Sequence, residues 1–458
     1  MNLRAWAAVA AGRAAGLASR ALRRGGGTAV AGLVALRVDP GLAGTLAATL
    51  GRGSAVVTGT NGKTTTSRML ADAAREAGAR PLANPSGSNL MRGVATALLT
   101  VAGRDASDRL GVFEVDEATL PEAARALRPR AAVFTNLFRD QLDRYGEVDT
   151  VARLWRETVA SLDATATLVL NVDDPAVASL AEGARGPVVT YGIDDTSVAV
   201  ERVEHASDYR FCLACGEELA YSAAFYGHVG HWRCPGCGRA RPAPDVRATS
   251  VRLAAAGPTR LTIATPEGEK TLDLPLAGLY NVANALAATA GALALGLPLD
   301  AVERSLAGFE PAFGRQERFA VDGRDVLVLL GKNPTGMNQV LRTIAGARHL
   351  LLFLHDGIAD GRDISWIWDT DYELLAAGAA DIVVAGTRAE ELALRLKYAD
   401  LSAMPRVVAG ARDALAAALA ATPAGETLHV VPTYTAMLEV RELLARRGGE
   451  RPFWEERS

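Results

Sequence analysis

The stretch Val57-Thr58-Gly59-Thr60-Asn61-Gly62-Lys63-Thr64-Thr65-Thr66 leaves little freedom in how the first half of this chain folds. Ala55 to Thr58 is a β-branched run of the kind that forms a buried strand, and Ser67 to Gly78 has helical spacing, so both glycines fall at a strand-to-helix turn. Such a turn aims backbone N–H groups and a helix N-terminus at one point, which is how a chain cradles phosphate oxygens. Thr60, Asn61 and Gly62 supply the cradle, Lys63 reaches the outer phosphates, and Thr64 or Thr65 offers a hydroxyl to Mg²⁺. In this role Lys63 is expected to belong to no core. A tight turn with a solvated lysine is the competing reading.

The rest of the chain falls into two alternating series. From residue 51 to about 200 the runs SAVVTG, GVFEVDE, AAVFTN, TLVLNVDD and PVVTYG alternate with helical patterns, which predicts βαβ units and a parallel sheet. Residues 205–240 interrupt the pattern and hold all four cysteines; strands then return in VRLAAAG, RLTIATPEG and EKTLDLPL, before the alanine-rich helix NVANALAATAGALALG. Beyond Pro311–Arg315 a second series begins with DVLVLL, HLLLFLH, DIVVAG, RVVAG and TLHVVP, each followed by a helical pattern. A chain of 458 residues has room for about three domains. The expected organisation is a helical segment 1–50 packed on a central nucleotide-binding domain 51–310, an insertion 205–240 within it, and a C-terminal Rossmann-like α/β domain 311–458.

The formal net charge of −3 gives no reason to expect a polyanion partner. The N-terminus, MNLRAWAAVAAGRAAGLASRALRRGGG, is Arg-rich and free of acid, but its arginines interrupt any apolar core of signal-peptide type. It is expected to form an amphipathic helix, lying on the first domain or touching the inner face of the plasma membrane. No segment has the roughly 20 uninterrupted apolar residues that span a bilayer, so a cytoplasmic protein is expected.

Two further constellations carry chemistry. GVFEVDE ends an apolar strand with Glu114, Asp116 and Glu117, where a carboxylate can hold Mg²⁺ against the phosphates; Glu114 is the favoured ligand beside Thr64. Cys212-Leu213-Ala214-Cys215 and Cys234-Pro235-Gly236-Cys237 have the spacing of a zinc ribbon, a closed four-thiolate site without an open position for catalysis. Its surroundings carry no basic stripe, so no nucleic acid is expected.

The loop TGTNGKTTT, Asn84-Pro85-Ser86-Gly87-Ser88-Asn89, Glu114, TNLFRDQLD, NVDDP, GLYNVANALAA and FGRQE follow the order found in the Mur ligases, which join amino acids to peptidoglycan precursors through an acyl phosphate. The chain resembles that family from about residue 50 to 440. The resemblance implies a Mur-ligase-like central P-loop ATPase domain followed by an α/β domain, with Asn284, Arg315, Lys332 and Asn333 on the nucleotide. It departs at Gln141 and Tyr280, where the family commonly has His, and it has no lysine between Lys63 and Lys270 to form a carbamate ligand.

With the Cys₄ ribbon and the stretch HDGIADGRDISWIWD (355–369), the chain is similar to the MurT branch of the Mur ligases. That resemblance implies amidation of the D-glutamate α-carboxylate of lipid II to D-isoglutamine, with ammonia from a GatD-type glutaminase partner, and ATP, Mg²⁺ and Zn²⁺ as cofactors. It also implies that one aspartate of this chain completes the partner's Cys–His arrangement, Asp360 and Asp356 ranking above Asp363, and that Arg362 contacts nucleotide. Trp366 and Trp368 are either core residues or anchors for the partner. The chain's four cysteines are all taken by the ribbon, leaving none as a glutaminase nucleophile. An amino-acid-adding Mur-type or folylpolyglutamate-type ligase, and a nucleotide-binding scaffold without ligase activity, are the alternatives.

Overall fold

The computed structural model describes residues 1–21, 29–84, 88–140, 148–201, 204, 207–254, 257–310, 315–357 and 359–448, without the side chains of Arg315 and of 447–448. Gln141, the residues 85–87 of the segment Asn84–Asn89, the start of FGRQE and the boundary at 311 lie outside them.

In chain order the strands are β1 (Ser54–Thr58), β2 (Arg80–Ala83), β3 (Arg109–Glu114), β4 (Ala131–Phe134), β5 (Thr167–Asn171), β6 (Val188–Ile193), β7 (Ala220–Tyr226), β8 (Val229–Arg233) and β9 (Val246–Arg252). They continue as β10 (Thr259–Thr265), β11 (Gly268–Leu274), β12 (Arg315–Val321), β13 (Arg324–Leu329), β14 (His349–Phe353), β15 (Asp381–Ala385), β16 (Arg406–Val407) and β17 (Thr427–Val431). The first sheet has nine strands in the order β11-β10-β9-β6-β5-β4-β1-β3-β2. It is parallel from β2 to β9 and antiparallel across β9, β10 and β11, so the expected parallel sheet is the centre of a mixed one. The second has six strands in the order β12-β13-β17-β14-β15-β16, with one antiparallel pair at the β12 edge. Each sheet is the centre of its own α/β unit.

Sequence patterning missed β2, a short edge strand that starts Arg-Pro, and β12, whose alternation is hidden among charged residues. HLLLFLH is followed by two short 3₁₀ turns, Ser365–Asp369 and Tyr372–Leu375, in place of the expected α-helix.

At the N-terminus, helix α1 (Leu3–Ala21) packs on α2 (Val30–Val38), and α3 (Leu42–Ala47) leads into β1. The buried face of α1 is Ala5, Ala8, Val9, Gly12 and Gly16, while Leu3, Trp6 and Leu17 point outward. A helix that only packs on its domain would turn its large apolar residues to the core; α1 turns them outward.

The cysteine-bearing segment is woven into the fold. Phe225, Tyr226 and Val229 at the closed end of the β7–β8 hairpin join the main core under the first sheet. Glu204, just before the ribbon, accepts from the backbone N–H of Gly227 (3.1 Å) and from Arg342 Nε (3.0 Å), Asn338 (3.4 Å) and Gln339 (3.4 Å) on the helix Pro334–Thr343. Burial raises the pKa of Glu204, and Arg342 opposes that rise. Arg139, after β4, ion-pairs with Asp208 and reaches Asp369 of the second α/β unit (3.4 Å).

Glu204→Ala should therefore cost about 1.5–3 kcal/mol in urea unfolding, the range for hydrogen bonds to a charged group. In a double-mutant cycle with Arg342→Ala the two losses should be non-additive; additive losses would mean that the pair does not join the two units.

Candidate active site

β1, β3 and β4 are neighbours, so the loops leaving their C-terminal ends converge at one point of the sheet edge. The loop after β1 enters helix α4 (Lys63–Glu76), whose first intrahelical bond runs from Thr66 N–H to Gly62 O (2.9 Å). The N–H groups of Lys63, Thr64 and Thr65 thus have no partner within the helix, an arrangement that suits an anion. Gly62 adopts φ +87°, and a Cβ there would meet Asn284 Oδ1 at 2.0 Å, so this position excludes a side chain on two counts. Asn284, on the helix Leu279–Ala294, thereby sits against the loop.

Thr64 Oγ1 donates to Glu114 Oε2 (2.7 Å) at the end of β3. The Glu114 backbone is fixed by Asn84, whose Oδ1 accepts from its N–H and whose Nδ2 donates to its C=O, both at 2.9 Å. Asn136 holds the other side of the loop, its carbonyl accepting from Thr60 N–H and its Oδ1 from Asn61 N–H, again at 2.9 Å.

Lys63 departs from expectation: it is buried. Its Nζ donates to Gly59 O (2.5 Å), Thr60 O (3.2 Å) and Glu117 Oε2 (3.0 Å). Burial alone lowers the pKa of an ammonium, but the carboxylates of Glu117, Glu114, Asp116 and Asp140 more than offset it and hold Lys63 above its ordinary value. The pairing with Glu117 was not foreseen, because strand periodicity ends at Glu114 and does not say where residues of the following turn point.

Thr60, Asn61, Gly62, Lys63, Thr64, Thr65 and Asn284 all line a cleft of about 570 Å³, together with Glu114, Asp116 and Glu117. The second α/β unit contributes Lys332, Thr335 and Gly336 to the opposite wall. Lys332 ion-pairs with Asp140, and Asn333 exchanges two hydrogen bonds with Asn61, Nδ2 to Oδ1 at 3.0 and 3.3 Å. Asn333 also caps the helix Pro334–Thr343 through Gly336 N–H (2.7 Å). Tyr280 lines the cleft and accepts from Gln316 Nε2 (2.7 Å); Gln316 also brackets Ala277, accepting from its N–H (2.8 Å) and donating to its C=O (2.6 Å). Gln316 achieves this at φ +62°, a strained conformation for a non-glycine residue. FGRQE flagged the segment but gave no hint that its glutamine is the bracket.

Among the described residues of the loop after β14, Ala359 lines the cleft, and Arg362 lies exposed outside its wall. Asp360 is buried, accepting from Thr435 N–H (2.8 Å) and Thr435 Oγ1 at the start of the helix Tyr434–Gly448. Asp356 is half-buried and accepts from Thr387 Oγ1 and Arg388 Nε, both at 2.8 Å, which lower its pKa. Asp363 is exposed and accepts from Ser365 N–H (2.8 Å), which lowers its pKa as well. Trp366 packs at the edge of the second core, whereas Trp368 is half-exposed beside Tyr398, with the Arg395 guanidinium over its ring.

The cysteines are free thiols gathered in one cluster, their sulfurs all within 4.8 Å of one another. Cys212 Sγ lies 3.6 Å from Cys237 Sγ, and Cys215 Sγ 3.4 Å from Cys234 Sγ, close to the roughly 3.8 Å edge of a tetrahedral zinc–thiolate site. Each knuckle closes alike: Gly216 N–H donates to Cys212 O (2.9 Å) and Gly238 N–H to Cys234 O (3.1 Å). The Cys237 N–H donates to Cys234 Sγ (3.4 Å) and helps to lower the Cys234 pKa, favouring the thiolate. Donor set and geometry fit zinc.

A glycine turn that opens a helix beside buried carboxylates, facing a second α/β unit across a cleft, suits a ligase of the Mur type, and comparison with known proteins shows that class. Residues 57–231 match the Mur ligase middle domain, and residues 330–437 match the MurT ligase C-terminal domain. The chain is 33% identical over 98% of its length to the "Lipid II isoglutaminyl synthase (glutamine-hydrolyzing) subunit MurT" of Streptococcus pneumoniae, of which it covers 98%. It belongs to the MurT family. Among solved structures it shares its fold with a pseudomurein peptide ligase type C from Methanothermus fervidus (TM-score 0.67, 22% identity, covering 87% of this chain and 79% of that one). The MurF ligase of Thermotoga maritima in complex with ADP is similar in fold as well (TM-score 0.65, 13% identity, 91% and 84%).

Two outcomes follow from the geometry. Lys63→Ala should abolish ATP turnover and also lower the melting temperature, because it leaves buried carboxylates without their counter-charge. Lys63→Ala/Glu117→Gln should regain stability but not turnover; phosphate release at the wild-type rate by either variant would remove Lys63 from the phosphate site. Cys215→Ser should reduce bound zinc, read by metal analysis, and lower the melting temperature, since a structural site contributes folding free energy directly. Metal-free wild-type protein with an unchanged melting temperature would rule out a structural zinc.

Proposed function

We propose that this chain is the ligase subunit of a two-subunit amidotransferase, which converts the D-glutamate α-carboxylate of lipid II to D-isoglutamine in the cytoplasm with ammonia from a GatD-type glutaminase. The observation that carries this reading is where the cysteines are. All four lie in one cluster, so the cleft has no thiol to hydrolyse glutamine, although the named relative is a subunit of a glutamine-hydrolysing synthase. Ammonia must then come from a second protein.

In this reading the N–H groups at the start of α4 and the Lys63 ammonium bind the ATP phosphates, with Asn284, Lys332 and Asn333 bordering the nucleotide. Thr64 and Glu114 would hold Mg²⁺, which screens the phosphate oxygens when bound; two hard oxygens 2.7 Å apart, with Asp116 and Glu117 nearby, suit it. The substrate carboxylate attacks the γ-phosphorus, and ADP leaves. Ammonia then adds to the acyl phosphate carbon, inorganic phosphate departs, and the nitrogen loses a proton to give the amide. Closure of the two units, held by Asn61–Asn333 and Lys332–Asp140, keeps water from the acyl phosphate.

For the aspartate that completes the partner's catalytic set, the geometry favours Asp356 and Asp363, both at the surface, over Asp360, whose carboxylate is spent on Thr435. Trp368 and Tyr398 lie on the same unit and suit the role of partner anchors.

The test compares nitrogen donors. With high ammonium at alkaline pH the chain alone should amidate a D-glutamate-containing acceptor, and it should use glutamine only once the partner is added. Asp356→Asn or Asp363→Asn should depress glutamine-driven amidation far more than ammonia-driven amidation, whereas Asp360→Asn should lower the melting temperature. Glutamine-driven product from this chain alone would refute the two-subunit reading.

A further inference from the structure

The outer face of α1 has no role in the cleft, and its composition is unusual. Small residues on its inner face let it lie close against α2: a Cβ at Gly12 would sit 2.8 Å from Ala31 O, and one at Gly16 would sit 3.1 Å from Ala31 Cβ. The large apolar side chains are left outside, Leu3 at 90%, Leu17 at 62% and Trp6 at 45% exposure. At 3.6 residues per turn, Leu3, Trp6, Ala10, Leu17 and Ala21 fall within a stripe roughly 60° wide, with Arg13 and Arg20 along one flank and Arg4 on the other.

The charge here has one sign. Arginines stand at 4, 13, 20, 23, 24 and 37, and no Asp or Glu precedes Asp39, on a chain whose net charge is −3. Arg4 donates to Val38 O (2.9 Å) and Arg13 to Leu99 O and Ala102 O (both 2.8 Å), so these two are fixed at the surface with their charge uncompensated by any carboxylate of the segment. A Trp/Leu stripe flanked by arginines matches the boundary between headgroups and acyl chains of an anionic leaflet, where the apolar side chains enter and the guanidinium groups meet phosphate. The same layer borders the cleft: Ala29, immediately before α2, lines it with Leu90 and Arg92 at the start of helix α5 (Met91–Leu99), against which α2 packs.

We propose that the outer face of α1 is a docking surface for an anionic phospholipid bilayer, lying in the headgroup plane and holding the Ala29–Arg92 side of the cleft towards the membrane. The idea that the occupant brings its own substrate rests on the reading above: the tail of a lipid-linked acceptor stays in the leaflet while its peptide enters the cleft. A stripe with so few large side chains gives reversible, salt-sensitive binding.

The experiment is sedimentation of the full chain with vesicles of phosphatidylcholine containing about one-third phosphatidylglycerol, or of phosphatidylcholine alone, at low and raised salt. Wild-type protein should pellet with the anionic vesicles, less so at raised salt and little with the neutral ones. Leu3→Glu/Leu17→Glu, which spares Trp6 because its ring rests on Gly103, should reduce binding about ten-fold at an unchanged melting temperature. The proposal is overturned if wild type stays in the supernatant, if the variant pellets like wild type, or if wild type self-associates through this face and the variant does not. Ammonia-driven amidation of a water-soluble acceptor peptide separates the two readings: amidation without vesicle binding sinks the docking surface alone, and vesicle binding without amidation sinks the enzymatic reading alone.

Discussion

One buried ammonium sets the electrostatics of this protein. Lys63 sits at the first turn of α4 among the carboxylates of Glu117, Glu114, Asp116 and Asp140, and these keep it protonated despite its burial. Lys63, Lys332 and a helix terminus face several carboxylates in the cleft. In the ligase reading a triphosphate would make the local charge more negative still, which would favour a divalent cation entering with it beside Thr64 and Glu114. In the same reading the pair with Glu117 would be a latch, the ammonium exchanging a carboxylate for a phosphate when nucleotide binds. Glu117 would thus be tied to the state of the loop, although the sequence marked it as one of three strand-end acids and not as the partner of Lys63.

The loop after β4 extends that control across the cleft. Asn136 holds the loop after β1, Arg139 joins Asp208 to Asp369, and Asp140 takes Lys332, so one short segment touches that loop, the approach to the ribbon and the second α/β unit. The hairpin between the cysteine knuckles takes part too: Tyr226 lines the cleft, and Gly227 meets Glu204, which is bonded to the helix Pro334–Thr343. A zinc ion far from the reaction would therefore act through the fold. It would fix the base of a hairpin whose tip helps to set how the two units face each other.

Periodicity and motif spacing made much of this legible. The glycine turn after β1, the strand-end Glu114, the cysteine knuckles and most strands of both sheets could be read from the chain because each depends on residues close in sequence: a strand's alternation, a turn's glycines, a pair of thiols three positions apart. What local pattern could not supply was direction and partnership. It gave no reason for Lys63 to be buried against Glu117, for Gln316 to bracket Ala277 at a left-handed backbone, for Asp360 to turn inward to Thr435, or for α1 to present its large side chains outward. Each of those depends on groups brought together from distant parts of the chain, 54 residues apart for Lys63 and Glu117 and 75 for Asp360 and Thr435. The sequence by itself determined which chemical groups are present and which local turns and elements hold them. Tertiary packing decided which of those groups meet, because burial and charge compensation are properties of the assembled neighbourhood and not of any segment within it.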